Sequence, residues 1–312
     1  MRVGELMPKD ELFKLDNFIK SYINEKKALN SAKNTIMSYQ SVLNTFYEYY
    51  TLHYDEISLD LIDRVFIVNY LESLGLSINS KNLHLVVLKN FFKYLQSHFY
   101  PLIDFKSRLE ELNAKAQKRE PVALSKSEYD KVMLSFLKEE GKKKRSFYSY
   151  RNTLLLKILL LSGVRVSELV GIGVLDLSVL NTKEGRSIYK IRILGKGNKE
   201  RYIYIPQDQI ETELEYLKSF IHNNNLTTQS LAVTKEGRVL GRAEVYKMVE
   251  SFLKGQGITK RGVHMLRHSF GKHLVQQNVN LSTIKELMGH ENIQTTMIYA
   301  RSDEESMIRA VL

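Results

Sequence analysis

The sequence predicts a mainly α protein with a small antiparallel β-sheet, divided into a helical N-terminal bundle and a larger C-terminal domain. Three observations carry this expectation. Apolar residues recur at helical spacing through most of the 312 residues. The period switches to strict alternation over one stretch, from Ser187 to Ile205. Charge is also split, since residues 1–112 hold 13 Lys+Arg against 14 Asp+Glu whereas residues 113–312 hold 33 against 21.

The elements follow in order. Leu12, Leu15, Phe18, Ile19, Tyr22 and Ile23 mark a first helix. A second is expected over about 31–50, with Ile36, Tyr39, Val42, Leu43, Phe46, Tyr47 and Tyr50 on one face and Ser31 or Asn34 as cap. A third spans about 60–74 and stops at Gly75, and a fourth spans about 79–98 and ends before Pro101. Four amphipathic helices on short connections form a bundle, and aromatic stripes that follow the helix period read as its core. Lys33 and Asn34 open one helix, Lys81 and Asn82 another; these residues either enter a DNA major groove or simply solvate a first turn. From Arg108 to Pro121 the apolar period is lost. Residues 1–108 therefore read as one domain, 109–122 as a linker and 123–312 as a second domain.

In that second domain Ser125 and Glu128 have the spacing of a capping box. The run from Lys142 to Arg145 reads as a solvated basic loop, with a phosphate contact as the alternative. An apolar helix over 152–162 ends at Gly163-Val-Arg165-Val-Ser-Glu168. There, Arg165 and Glu168 are either a surface ion pair of little energetic weight or an arginine fixed in a site by a turn and a carboxylate. Strands at 187–194 and 201–205 form a hairpin whose tip, Gly195-Lys196-Gly197-Asn198, sets Lys196 between glycines. A helix over 207–224 follows, and another opens at Gly241 with Arg242 and Lys247 on it. The richest chemistry lies in 264–299, where His264, Arg267, His290 and Tyr299 fall at intervals of 3, 23 and 9 residues. Residues 302–312 read as a short helix offering Met307, Ile308 and Val311 to a partner surface.

Composition excludes several classes. With no cysteine there is no disulfide, thiolate nucleophile or cysteine-based zinc site. The charged N-terminus is not a signal peptide, and the most apolar run, from Leu154 to Val164, is too short for a bilayer and is interrupted by Lys157. A cytoplasmic protein with no membrane partner is expected. A net charge of +11 and a pI near 9.4 point to a polyanionic partner. His264 and His268 are spaced like zinc ligands, but Met265 stands where the zinc-protease helix carries glutamate and no third ligand is evident. No metal is expected, and His268 and His273 read as structural or DNA-facing.

The set Arg165, Lys196, His264, Arg267, His290 and Tyr299 resembles the active site of the tyrosine recombinases, the phage-integrase and Xer group. The resemblance covers residues 123–312 through Gly163-Val-Arg165-Val-Ser-Glu168-Leu, Gly195-Lys196-Gly197-Asn-Lys-Glu-Arg, His264-Met-Leu-Arg267-His-Ser-Phe and Leu287-Met-Gly-His290 to Thr295-Thr-Met-Ile-Tyr299. More weakly, the region from Asn34 to Phe46 is similar to that family's core-DNA-binding domain. Met288 stands where leucine is usual, and Ala300-Arg301 replace the commoner Thr-His after the tyrosine.

The resemblance implies a site-specific recombinase that cuts double-stranded DNA through a 3′-phosphotyrosyl bond at paired short sites, with no cofactor. Arg165 and Arg267 would hold the phosphate, Lys196 would protonate the leaving 5′-oxygen, and His264 would handle the tyrosine proton. His290 would bond the phosphate, and Glu168 would orient an arginine. It further implies a tetramer on paired sites, assembled through the C-terminal helix. A type IB topoisomerase and a non-catalytic DNA-binding protein are the alternatives.

Overall fold

In the computed structural model the described residues are 15–53, 62–100, 104–105, 109, 112, 122–195, 199–259 and 262–299. Two compact units divide the chain, Met1–Lys118 and Arg119–Leu312.

In the first unit lie α1 (Leu15–Ala28), α2 (Lys33–His53), α3 (Arg64–Ser73) and α4 (Ile78–His98). The carboxylate of Asp63 accepts the Phe66 backbone N–H at 2.7 Å, so α3 begins at Arg64 rather than near residue 60. Ser77 caps α4 in the same way. The aromatic stripes are core: Phe46 meets Phe66, Tyr70 and Phe92 edge-on at 5.2–6.2 Å between centroids. Phe105 and Leu109 are buried in that core and Leu112 packs on it, although the sequence assigned the last two to a linker. Lys33 and Asn34 are exposed, whereas Lys81 and Asn82 are half-buried.

The second unit opens with α5 (Lys126–Glu140), whose capping box joins Ser125 and Glu128, followed by α6 (Phe147–Ser162) and α7 (Val166–Gly171). A three-stranded antiparallel sheet follows, β1 (Leu177–Asn181), β2 (Ser187–Leu194) and β3 (Glu200–Pro206), in the order β1-β2-β3. Its register sets Ile191 against both Leu177 and Ile203. Tyr189, Ile191 and Ile193 of β2 are buried with Ile203 and Ile205 of β3, so the alternation read from sequence is the inward face of the hairpin. Strand β1 has no buried residue and thus no alternating signal. Helices α8 (Gln207–Asn223), α9 (Arg242–Gly255), α10 (His264–Gln276), α11 (Leu281–Met288) and the short α12 (Gln294–Met297) complete the unit.

From Leu154 to Leu161 helix α6 is apolar save for Lys157, and this stretch lies in the core of the unit. The reading of 142–145 as a solvated loop needs correction at its last member. The Arg145 side chain is only 2% exposed and pairs with Glu213 of α8 at 2.7 Å, while Lys157 of α6 pairs with the same carboxylate at 2.8 Å and with Glu140. Arg145 is drawn inward because a buried carboxylate must have cationic partners. No helix among the described residues is long and apolar enough to cross a membrane.

Candidate active site

All the residues singled out for catalysis belong to the second unit. Helix α6 ends at Gly163, whose φ of +61° reverses the chain against α10. A Cβ at this position would lie 2.5 Å from Phe270 Cδ1, so the close approach requires glycine. The turn delivers Arg165 to the start of α7. Its backbone N–H donates to Glu168 Oε2 at 2.7 Å, its Nη1 to Glu168 Oε1 at 2.9 Å and its Nη2 to the Gly289 carbonyl at 3.0 Å. Glu168 is 3% exposed and also accepts Arg201 Nη2 at 2.8 Å. One buried carboxylate thus orients two guanidiniums, and the surface-pair alternative for Arg165 and Glu168 falls. Arg165 itself remains 40% exposed, with part of its fork open to a ligand.

Arg267 is held differently. Buried on α10, it donates to the Gly163 carbonyl at 2.5 Å and the Met288 carbonyl at 2.6 Å. Both acceptors end helices, where carbonyls lack intrahelical partners and carry partial negative charge. Burial first, then repulsion from Arg165 and Arg201, lowers its pKa to about 10, which still leaves it charged at neutral pH.

Helix α11 ends at Gly289 with φ +63°; a Cβ there would sit 2.2 Å from Arg201 Nε. The glycine lets Arg201 pass beneath the turn and sets His290 beside the arginines. His290 is buried and shares a 2.9 Å hydrogen bond between Nδ1 and the Thr296 hydroxyl. Burial, then Arg267, Arg165 and Arg201, depress its pKa to about 4, so the ring is neutral at pH 7.

Tyr299 follows α12 with its ring over Gly271 and near-parallel to His290, centroids 6.3 Å apart. Its hydroxyl lies 2.7 Å from His268 Nδ1. Burial raises the phenol pKa, and Arg267 pulls the other way. The sequence reading gave the tyrosine proton to His264, but His264 stands exposed on the first residue of α10, its ring 6.5 Å from Tyr246. Lys196 lies outside the described residues. At the borders of that stretch the Gly195 N–H donates to the Lys199 carbonyl at 2.8 Å, and Gly195 lies beside Glu168.

The structure thus gathers Arg165, Glu168, Arg267, His290 and Tyr299, and adds Arg201, His268 and Thr296, which the sequence did not assign. Arg201 had a signal. It shares the inward phase of β3 with Ile203 and Ile205, an anomalous place for a charge. His268, read from the sequence as structural or DNA-facing, had no signal for its bond to Tyr299, because that partner lies 31 residues on. His273 stacks on Tyr129, centroids 5.1 Å apart. Arg242 and Lys247 are exposed on α9. Among the described residues no group of three or more His, Asp or Glu is placed to hold a metal ion.

Fixed guanidiniums, neutral imidazoles and a half-buried phenol make a cluster that can hold a phosphate and bring a nucleophile to it, with guanidiniums able to take the charge-stabilising part that other enzymes give to metal ions. Residues 106–306 match the phage integrase family model, and the chain belongs to that family, the tyrosine recombinases, which catalyse DNA strand cleavage and rejoining. It is 31% identical to tyrosine recombinase XerH of Campylobacter jejuni over 90% of this chain and 79% of the relative. It is also 31% identical to tyrosine recombinase XerD of Halalkalibacterium halodurans over 94% and 95%. Among solved structures it is similar to a XerH recombinase bound to difH substrate in a pre-cleavage complex, with a TM-score of 0.71, 27% identity and coverage of 94% and 83%. It shares its fold with a lambda integrase tetramer bound to a Holliday junction, with a TM-score of 0.66 at 16% identity over 93% and 79%.

Proposed function

We propose that this recombinase exchanges strands at two short, roughly palindromic DNA sites through a 3′-phosphotyrosyl intermediate, with Tyr299 as nucleophile. The observation that carries this reading is the clustering of Arg165, Arg267, His290 and Tyr299, joined by the Gly289 and Met288 carbonyls and by the stacked His290 and Tyr299 rings. Arg165 and Arg267 grip the non-bridging oxygens of the scissile phosphate and stabilise charge as it builds. Glu168 fixes the orientation of Arg165. His290, with Nδ1 engaged by Thr296, offers Nε2 to the same phosphate, and exposed His264 supplies a further hydrogen-bond donor. Lys196 protonates the departing 5′-oxygen. The tyrosyl–phosphate bond conserves the phosphodiester energy, so neither ATP nor metal enters the reaction. Lys33, Asn34, Lys81 and Asn82 in the first unit, with Arg242 and Lys247 in the second, contact the duplex. Four protomers act on two sites, joined through residues 302–312, which lie outside the described residues.

The test uses fragmented genomic DNA incubated with wild type and with Tyr299→Phe, followed by denaturation and recovery of protein-linked DNA. Wild type should yield a covalent adduct at a defined sequence and Tyr299→Phe none. If wild type yields no adduct, the enzyme reading fails. Light scattering on the recovered site should show four protomers on two duplexes; persistent monomers would remove the assembly proposal.

A further inference from the structure

Tyr299 presents a chemical difficulty that the assigned residues leave unsolved. An ordinary phenol, with a pKa about 10, is roughly one part in a thousand ionised at neutral pH, and burial of Tyr299 lowers that fraction. An acceptor for its proton must therefore touch the hydroxyl. Among the described residues the hydroxyl has one side-chain hydrogen-bond partner, His268, at 2.7 Å. The two rings are tilted by 53° with centroids 5.7 Å apart, so they meet through the hydrogen bond rather than by stacking.

We propose that His268 is a catalytic residue of this recombinase: its Nδ1 holds the Tyr299 hydroxyl and takes its proton during attack on the phosphate. With the ring proton on Nε2, Nδ1 accepts from the phenol. As Tyr299 Oη bonds to phosphorus, its proton passes to Nδ1. The bond from phosphorus to the 5′-oxygen breaks, and that oxygen leaves with the electron pair and takes a proton from the general acid, assigned above to Lys196. In rejoining, the 5′-hydroxyl gives its proton back to that general acid as its oxygen bonds to phosphorus, the tyrosyl–phosphorus bond breaks, and the imidazolium returns its proton to the departing phenolate.

Two observations support the acceptor role. Burial, followed by His264 and Arg267, keeps the His268 ring below the usual imidazole range, so it is neutral and able to accept at pH 7. Gly271, one turn along α10, lies under the Tyr299 ring, and a Cβ there would come within 2.8–2.9 Å of it. Helix α10 thus supplies both the acceptor and the seat for the nucleophile. The charged and titratable groups acting on the pair are His264 and Arg267 of α10 and His290 after α11, with Arg165 and Arg201 acting on His290 and Arg267 from behind.

The proposal rests on Tyr299 being the nucleophile, and its test separates the two. On a nicked duplex built from the genomic segment that wild type crosslinks, single-turnover adduct formation is followed for wild type, His268→Asn and His268→Gln. Asparagine retains a hydrogen-bond acceptor near the Nδ1 position but cannot take the proton. Both variants should bind the duplex with unchanged affinity and form adduct at least about 100-fold more slowly. The wild-type rate should fall as pH drops below the ordinary imidazole range, and the variants should lose that limb. The defect should persist on a duplex with sulfur replacing the leaving 5′-oxygen, because a thiolate departs without a proton. Rates within about threefold of wild type, or faster, would overturn the proposal, as would rescue by sulfur, which places His268 on the leaving-group side. If neither variant folds, a wild-type rate independent of pH from about 4 to 8 overturns it. Absence of any wild-type adduct is a different result and removes Tyr299 as nucleophile.

Discussion

His290 shows how one residue can report on the charge around it. Its pKa of about 4 lies below the ordinary imidazole value of about 6.5 because the ring is buried against Arg267, Arg165 and Arg201. The sign follows from linkage. The unfolded chain binds the proton at a higher pH than the folded one, so the neutral ring's contribution is complete above about 6.5 and is lost as pH falls toward 4. Wild type should therefore lose roughly 2 kcal/mol more stability than His290→Gln between pH 7 and pH 4, read by denaturant melts at each pH. Parallel pH curves for the two proteins would show that the ring is not held neutral by the fold. This residue scale is also where the sequence was least complete. The resemblance to the tyrosine recombinases selects Arg165, Arg267, His290 and Tyr299, whereas the local pattern alone leaves Arg165 open as a surface pair. It does not select Arg201 or His268, whose importance arises from contacts with Glu168, 33 residues away, and Tyr299, 31 residues away.

Elements whose apolar residues face one way were legible, since burial imposes the period. The four helices of the first unit and the β2–β3 hairpin follow it closely. Strand β1 was missed because it buries nothing, and Phe105 and Leu109 were too few to extend a pattern. The Lys142–Arg145 run was misread at one position for an electrostatic reason. Glu213 on α8 is fully buried and binds together the loop, through Arg145, and α6, through Lys157. Glu213→Gln should destabilise the protein by about 3 kcal/mol, because removing the shared carboxylate strands buried Arg145 and leaves Lys157 with Glu140 alone. For a unit of this size that is a fall of about 6–12 °C in thermal midpoint. Replacing Arg145, Lys157 and Glu213 together with Met, Met and Leu should recover most of the loss. Calorimetry on the single and triple variants checks both; a loss under about 1 kcal/mol for Glu213→Gln would mean that the pairs add little beyond their own desolvation.

At the scale of the whole molecule the charge is concentrated where the chemistry lies. The unit from Arg119 to Leu312 holds 31 Lys+Arg against 21 Asp+Glu, while Met1–Lys118 holds 15 against 14. In the second unit, several cations are internally neutralised. Arg145 and Lys157 are paired with Glu213, and Arg201 with Glu168. The charge available to a polyanion is therefore on exposed side chains such as Lys143, Lys144, Arg242 and Lys247. Contacts of such side chains to phosphates release condensed counterions, which would make affinity fall as a power of salt concentration. Binding to the recovered site should weaken at least about 100-fold between 50 and 200 mM salt, measured by fluorescence anisotropy. Replacing Arg242 and Lys247 by Ala should lower the slope of log affinity on log salt by about 2 if both touch phosphates. An unchanged slope would place the DNA on another face, leaving the buried arginine site intact but moving the surface that delivers the duplex to it.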